Sequence, residues 1–235
     1  MKMETKNKLK SKYIDPFTSF GFKKLFGEDC DKDMLIDFLN ALFQKREIRI
    51  TGLNHLTSRK LGKFEEDKYL FFDYQCENEK GETFIVEIQK PDKNIFQYRP
   101  HYYVLSPFLD HSTRNEKGSP IYTVAILDFR FSDDKNATYD YMSEFVFTDV
   151  ITKEVLHKHF MFICLEMPNF NKSADELTNR FEKWMYVIKN LNSLDGLPDR
   201  LQDEMFEKLL AVNEIANLDE NEYDQYIKSL SAYRD

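Results

Sequence analysis

A chain of 235 residues, 42% hydrophobic and 31% charged, can bury the core of one large domain and is too apolar for wholesale disorder. No apolar run approaches the roughly 18 residues of a membrane helix, so no membrane partner is expected. The formal net charge of −8, taken alone, argues against a nucleic-acid partner.

That charge is unevenly spread. The first twelve residues, MKMETKNKLKSK, carry five lysines and one glutamate and lack the apolar stretch of a secretory signal, so a cytoplasmic location is expected. Residues 195–235 hold 11 acidic and 4 basic side chains, a net of −7, which leaves the first 194 residues at −1. The chain therefore reads as a basic arm (1–12), a body (13–170) and a helical, acidic C-terminal segment (171–235).

In chain order, residues 31–45 place Met34, Leu35, Phe38, Leu39, Leu42 and Phe43 at helical spacing. EIRITGLNHLT then reads as a strand. YLFFDYQCE (69–77) and TFIVEIQK (83–90) flank NEKG and read as a hairpin. From Asn94 to about Asp110 apolar residues recur at helical intervals, with Pro100 and Pro107 kinking or breaking the helix. IYTVAILDFRF (121–131) is a buried strand, and MSEFVFTD and HFMFICLEM are two more. Ser173 and Glu176 form a capping-box signature that opens a helix to about Leu191, Pro198 suits the first turn of another, and Asp219 with Glu222 caps a last one.

Seven glycines and no GxGxxG or GxxxxGK[ST] sequence disfavour a Rossmann or Walker-type nucleotide site. Cys30, Cys76 and Cys164 are far apart in apolar segments and read as reduced core thiols. The five histidines show no zinc-site spacing, His157 and His159 included.

The hairpin carries the chemistry. Phe71, Asp73 and Gln75 share one face of its first strand, and Ile85, Glu87 and Gln89 share one face of its second. A three-residue loop Glu79-Lys80-Gly81 pairs Gln75 with Ile85 and Asp73 with Glu87, whereas a four-residue loop puts the two carboxylates on opposite faces. Opposed carboxylates repel unless a cation or proton neutralises them, and a hard ion such as Mg²⁺ prefers oxygen ligands. From spacing alone, Asp73 and Glu87 as solvent-face residues remain the alternative.

The string FFDYQCENEKGETFIVEIQ resembles the D-x(n)-E-x-K/Q core of the PD-(D/E)XK nuclease superfamily. DPFTSFGFKKLFG, LIDFLNALF, RPHYYVLSPF, VAILDF, FICLEMPNFNK and ELTNRFEKWMYVIKN, in that order, resemble the Rpn family of recombination-promoting nucleases and transposases. The resemblance implies an α/β restriction-endonuclease-like core of helix, three strands, helix and strand, with extra strands and the acidic helical segment added. It implies metal-dependent DNA cleavage with Mg²⁺ or Mn²⁺. Asp73 and Glu87 would be the metal ligands, and Gln89 would stand where lysine is usual, free to orient water or contact a phosphate but not to act as a base.

Arg99, Lys23 and Lys24 are candidates for DNA phosphates, each with an ordinary reading as a solvated or paired charge. Asp37 of the first helix is a further acidic candidate, with a solvated helix position as its alternative. Without the lysine, a nuclease-fold module with weak or no catalysis, binding DNA or a protein partner, is the second reading. A homodimer is a further expectation, with the acidic helices forming the dimer or inhibiting the site.

Overall fold

The computed structural model describes residues 10–26, 32–46, 48–55, 74–89, 119–130, 140–155 and 160–234. The chain divides into two compact units, Ile50–Asn169 and Met1–Arg49 with Phe170–Asp235.

The first unit is built on a six-stranded mixed sheet. Its strands are β1 (Leu53–His55), β2 (Tyr74–Asn78), β3 (Thr83–Gln89), β4 (Ile121–Leu127), β5 (Met142–Phe145) and β6 (Phe160–Glu166), in spatial order β1-β2-β3-β4-β6-β5. β1, β2 and β3 run antiparallel, β3, β4 and β6 run parallel, and β5 is antiparallel to β6. Every residue of β4 and β6 is buried, which accounts for their nearly unbroken apolar sequences. β1 is far shorter than the predicted EIRITGLNHLT strand. The predicted helix over 94–110, the beginning of the hairpin's first strand, and His157 and His159 lie outside the described residues.

The other unit holds α1 (Ser19–Phe26), α2 (Lys32–Phe43), α3 (Arg180–Asn190), α4 (Glu204–Val212) and α5 (Glu220–Arg234). Trp184 is its packing centre, fully buried with Phe26, Phe38 and Phe206 around it at ring-centroid distances of 5.9, 5.8 and 5.2 Å. Polar bonds fasten the same helices. Asp37 Oδ2 on α2 accepts from Trp184 Nε1 at 2.6 Å and from Arg180 Nε at 2.8 Å. Arg180 Nη1 also donates to Asp203 Oδ2 at 2.5 Å, and Asp203 caps α4 by accepting from the Phe206 N–H.

The residues before α1 are woven into the acidic end of the chain. Tyr13 bridges Glu214, the Ile14 N–H donates to the Asn213 carbonyl, and the Ile215 N–H donates to the Lys12 carbonyl. Ile14 is buried with Ile215, Leu218, Tyr226 and Leu230. Asp15 organises the turn into α1: its Oδ1 accepts from the Phe17 N–H, its Oδ2 from Asn192 Nδ2, and its N–H donates to the Tyr226 hydroxyl.

Three helix starts follow different physics. Asp219 and Glu222 exchange the predicted capping-box bonds at the head of α5, at 2.8 and 3.0 Å. The Glu176 carboxylate takes the Ser173 N–H and hydroxyl as foreseen, but that box opens only a 3₁₀ turn, Ala174–Glu176. Leu177 is buried in extended conformation, and α3 begins afresh at Arg180 under an Asn179 cap. Pro198 likewise precedes a 3₁₀ turn, Asp199–Leu201, rather than an α-helix.

Gly21, inside α1, lies where a Cβ would stand 1.9 Å from the Asp15 carbonyl oxygen. Only glycine permits this approach of helix to turn. Gly21→Ala is expected to lower the unfolding free energy by about 3 kcal/mol, read as a fall in the denaturant midpoint.

Candidate active site

The site starts from the β2–β3 turn. Gly81 adopts φ +77°, and the Asn78 side-chain oxygen accepts from the N–H groups of Lys80 and Glu82 at 3.0 and 2.9 Å. The Asn78 N–H donates to the Glu82 carbonyl and the Gly81 N–H to the Asn78 carbonyl, closing the three-residue loop. The resulting register pairs Gln75 with Ile85 and Tyr74 with Val86, as the three-residue reading requires. Asp73, the preceding residue in the chain, lies outside the described residues.

Parallel pairing carries the β3 register across the sheet. Glu87 pairs with Ala125, which pairs with Cys164, and Gln89 pairs with Leu127, which pairs with Glu166. Side chains at paired positions share a face. On this face Ile85, Ala125, Leu127, Phe162 and Cys164 form one buried apolar cluster.

Glu87 is 0% exposed, with both carboxylate oxygens shut off from solvent. Of the two readings of Glu87, the solvent-face one is thereby overturned. Glu166, 1% exposed, ends β6, and its Oε2 accepts from Asn169 Nδ2 at 3.1 Å. Burial, followed by the negative charges of Glu87 and Glu166, pushes the Cys164 thiol well above its ordinary range. In register, Glu87 lies two strands from Cys164 and Glu166 two residues beyond Cys164, on the same sheet face. Sequence reasoning missed Glu166. Its signal was available as a glutamate two residues beyond Cys164, closing an otherwise apolar strand.

Of the remaining candidates, Lys23, Lys24 and Asp37 belong to the other unit. Lys23 is exposed in the last turn of α1. Lys24 forms a 2.5 Å ion pair with Glu222 of α5. Asp37, half-buried on α2, binds Arg180 and Trp184 as described above. Arg99 lies outside the described residues. Among the described residues, no three His, Cys, Asp or Glu side chains are grouped as a metal site.

The family model for the PD-(D/E)XK nuclease family transposase matches residues 16–235. The chain belongs to that family. No curated protein and no solved structure matches it. The mixed sheet and helices accord with a PD-(D/E)XK nuclease-like fold, and membership supports a nuclease- or transposase-like function. PD-(D/E)XK nucleases generally use divalent metal ions, and among the described residues no helix is long and apolar enough to cross a membrane.

Two solution properties follow. Cys76, pushed up by burial to about 12, and Cys164 are both enclosed, so neither should react with a thiol reagent near neutral pH until the protein is denatured. The Lys24 hydrogen bond holds the Glu222 carboxyl below its ordinary range. A carboxyl depressed on folding stabilises the protein above its unfolded pKa and loses that contribution as pH falls through the folded one. Lys24→Met should therefore cost about 0.5–1 kcal/mol at neutral pH, with the difference from wild type shrinking on acidification, as measured by denaturant unfolding.

Proposed function

We propose that the chain is a divalent-metal-dependent DNA endonuclease of the transposase or recombination-promoting type, hydrolysing phosphodiester bonds. The observation that carries this reading is Glu87, fully buried on the sheet face that also carries the Glu166 carboxylate. Burying a carboxylate is costly unless a cation, a proton or hydrogen-bond donors offset its charge, and a divalent cation at Glu87 would supply that compensation. The donor set offered is oxygen, which suits Mg²⁺ or Mn²⁺ rather than a thiophilic metal.

Asp73 is assigned as the second ligand. Extending the Gln75–Ile85 and Tyr74–Val86 register by one pair would set Asp73 opposite Glu87. When bound, the divalent ion supplies Lewis-acid stabilisation of the phosphate and a nucleophilic water at neutral pH. Glu87 and Asp73 hold it, while the apolar neighbours of Glu87 limit bulk water around the carboxylate. Gln89, a neutral amide, orients the attacking water or bonds a phosphate oxygen and takes no proton.

Lys23 and Arg99 are assigned phosphate contacts. Lys24 would have to break its pair with Glu222 to join them. With no broad positive surface, since the formal net charge is −8, DNA binding is modest and salt-sensitive.

Gln89, standing where lysine is usual, favours one other reading: a module that binds DNA or a protein without cutting. Nicking of supercoiled plasmid in Mg²⁺ or Mn²⁺ separates the two. The wild-type chain should nick. Asp73→Ala and Glu87→Gln should each reduce the rate at least about 100-fold, with Glu87→Gln no less stable than wild type in chelator. A folded wild-type chain that leaves every DNA substrate intact across a metal screen would overturn the endonuclease reading.

A further inference from the structure

The six large hydrophobic side chains that are exposed among the described residues all fall in one run: Phe145, Val146, Phe147, Val150, Ile151 and Val155. The run begins on β5, the last strand in the sheet order, and continues into a small antiparallel bridge between Thr148 and Val155.

This run is built, not slack. Phe145 and Phe147 rest on Phe162 and Phe160 of β6, with ring centroids 6.1 and 5.3 Å apart. The Asp149 N–H donates to the Glu154 carbonyl and the Lys153 N–H to the Asp149 carbonyl, both at 2.9 Å. Asp149 Oδ1 accepts from the N–H groups of Ile151 and Thr152 at 2.8 and 2.7 Å, and those bonds hold its carboxyl below the ordinary aspartate range. Lys153 completes the turn at φ 62°, a conformation that side-chain-bearing residues seldom adopt. All of this presents Val150 and Ile151 at the tip, 80% and 86% exposed, where turn chemistry alone would call for polar residues.

Charge narrows the occupant. Residues 140–155 carry Asp140, Glu144, Asp149 and Glu154 against Lys153, a net of −3, which repels nucleic acid and anionic membrane alike. The six side chains leave on the order of 500 Å² of apolar surface exposed, near the top of the range for a monomer's largest patch and much of the roughly 800 Å² per partner in a stable interface. A strand edge is also complementary to itself, since a two-fold axis brings two copies of it together antiparallel.

We propose that the β5 edge and the 145–155 run form a docking surface for a second copy of this chain. Two copies join edge to edge, and each apolar run covers the other. Because both surfaces are acidic, their association strengthens as salt screens the repulsion. A basic partner would be released by salt instead.

Sedimentation equilibrium of the 235-residue chain at tens of micromolar, at low and high salt, tests this. The wild type should approach twice the monomer mass, more completely at high salt. The Val150→Ser/Ile151→Ser variant should sediment as a monomer at both salts with an unchanged circular-dichroism spectrum. A wild type that stays monomeric at both salts would assign the surface to a partner of other sequence and overturn the proposal. So would a tip variant that dimerises as the wild type does. Neither result bears on plasmid nicking, so the two proposals stand or fall separately.

Discussion

Everything at the candidate site depends on the count of residues between β2 and β3. The Asn78 side chain and the left-handed Gly81 close that turn in three residues, and side chains alternate strictly beyond it. One residue more would slip the β2–β3 pairing and put the residues of β2 now facing Glu87's side on the other face. Parallel pairing sets Glu87 in the row of Ala125 and Cys164, and Glu166 ends the next row. A turn of a few polar residues thus decides which side chains of β2 share a face with Glu87.

The net charge of −8 also acquires a structural meaning. Much of the acidity near the C-terminus is used locally. Asp203 and Asp219 cap helices, Asp203 also binds Arg180, and Glu222 pairs with Lys24. Negative side chains at helix starts complement the positive end of the helix dipole. The acidic segment is therefore no loose appendage: together with residues 12–26 it builds one side of its unit's core.

What was legible in the sequence follows from how local each signal is. The α2 helix, the hairpin register and the buried strands β4 and β6 rest on periodicity and turn chemistry, which act over a few residues. The start of α3 was less legible because the burial of Leu177 and the bonds gathered by Glu182 override the Ser173 capping box. Leu177 is drawn into the core, and Glu182 gathers the Thr178 N–H and hydroxyl together with Lys172. Asp37 looked like a surface acid because nothing local announces Arg180 and Trp184, more than 140 positions away. Glu166 escaped notice for the same reason. Its proximity in sheet register to Glu87 exists only once β6 has paired with β4.

The central claim is that buried Glu87, with Asp73, holds a hard divalent cation. Anomalous diffraction from crystals of the chain soaked in Mn²⁺ tests it most directly. The account predicts a manganese peak at ligand distance, about 2.0–2.2 Å, from carboxylate oxygens of both Asp73 and Glu87, lost in the Asp73→Ala variant. A fully soaked crystal with no peak at Glu87, or with manganese bound only at surface carboxylates, would contradict it.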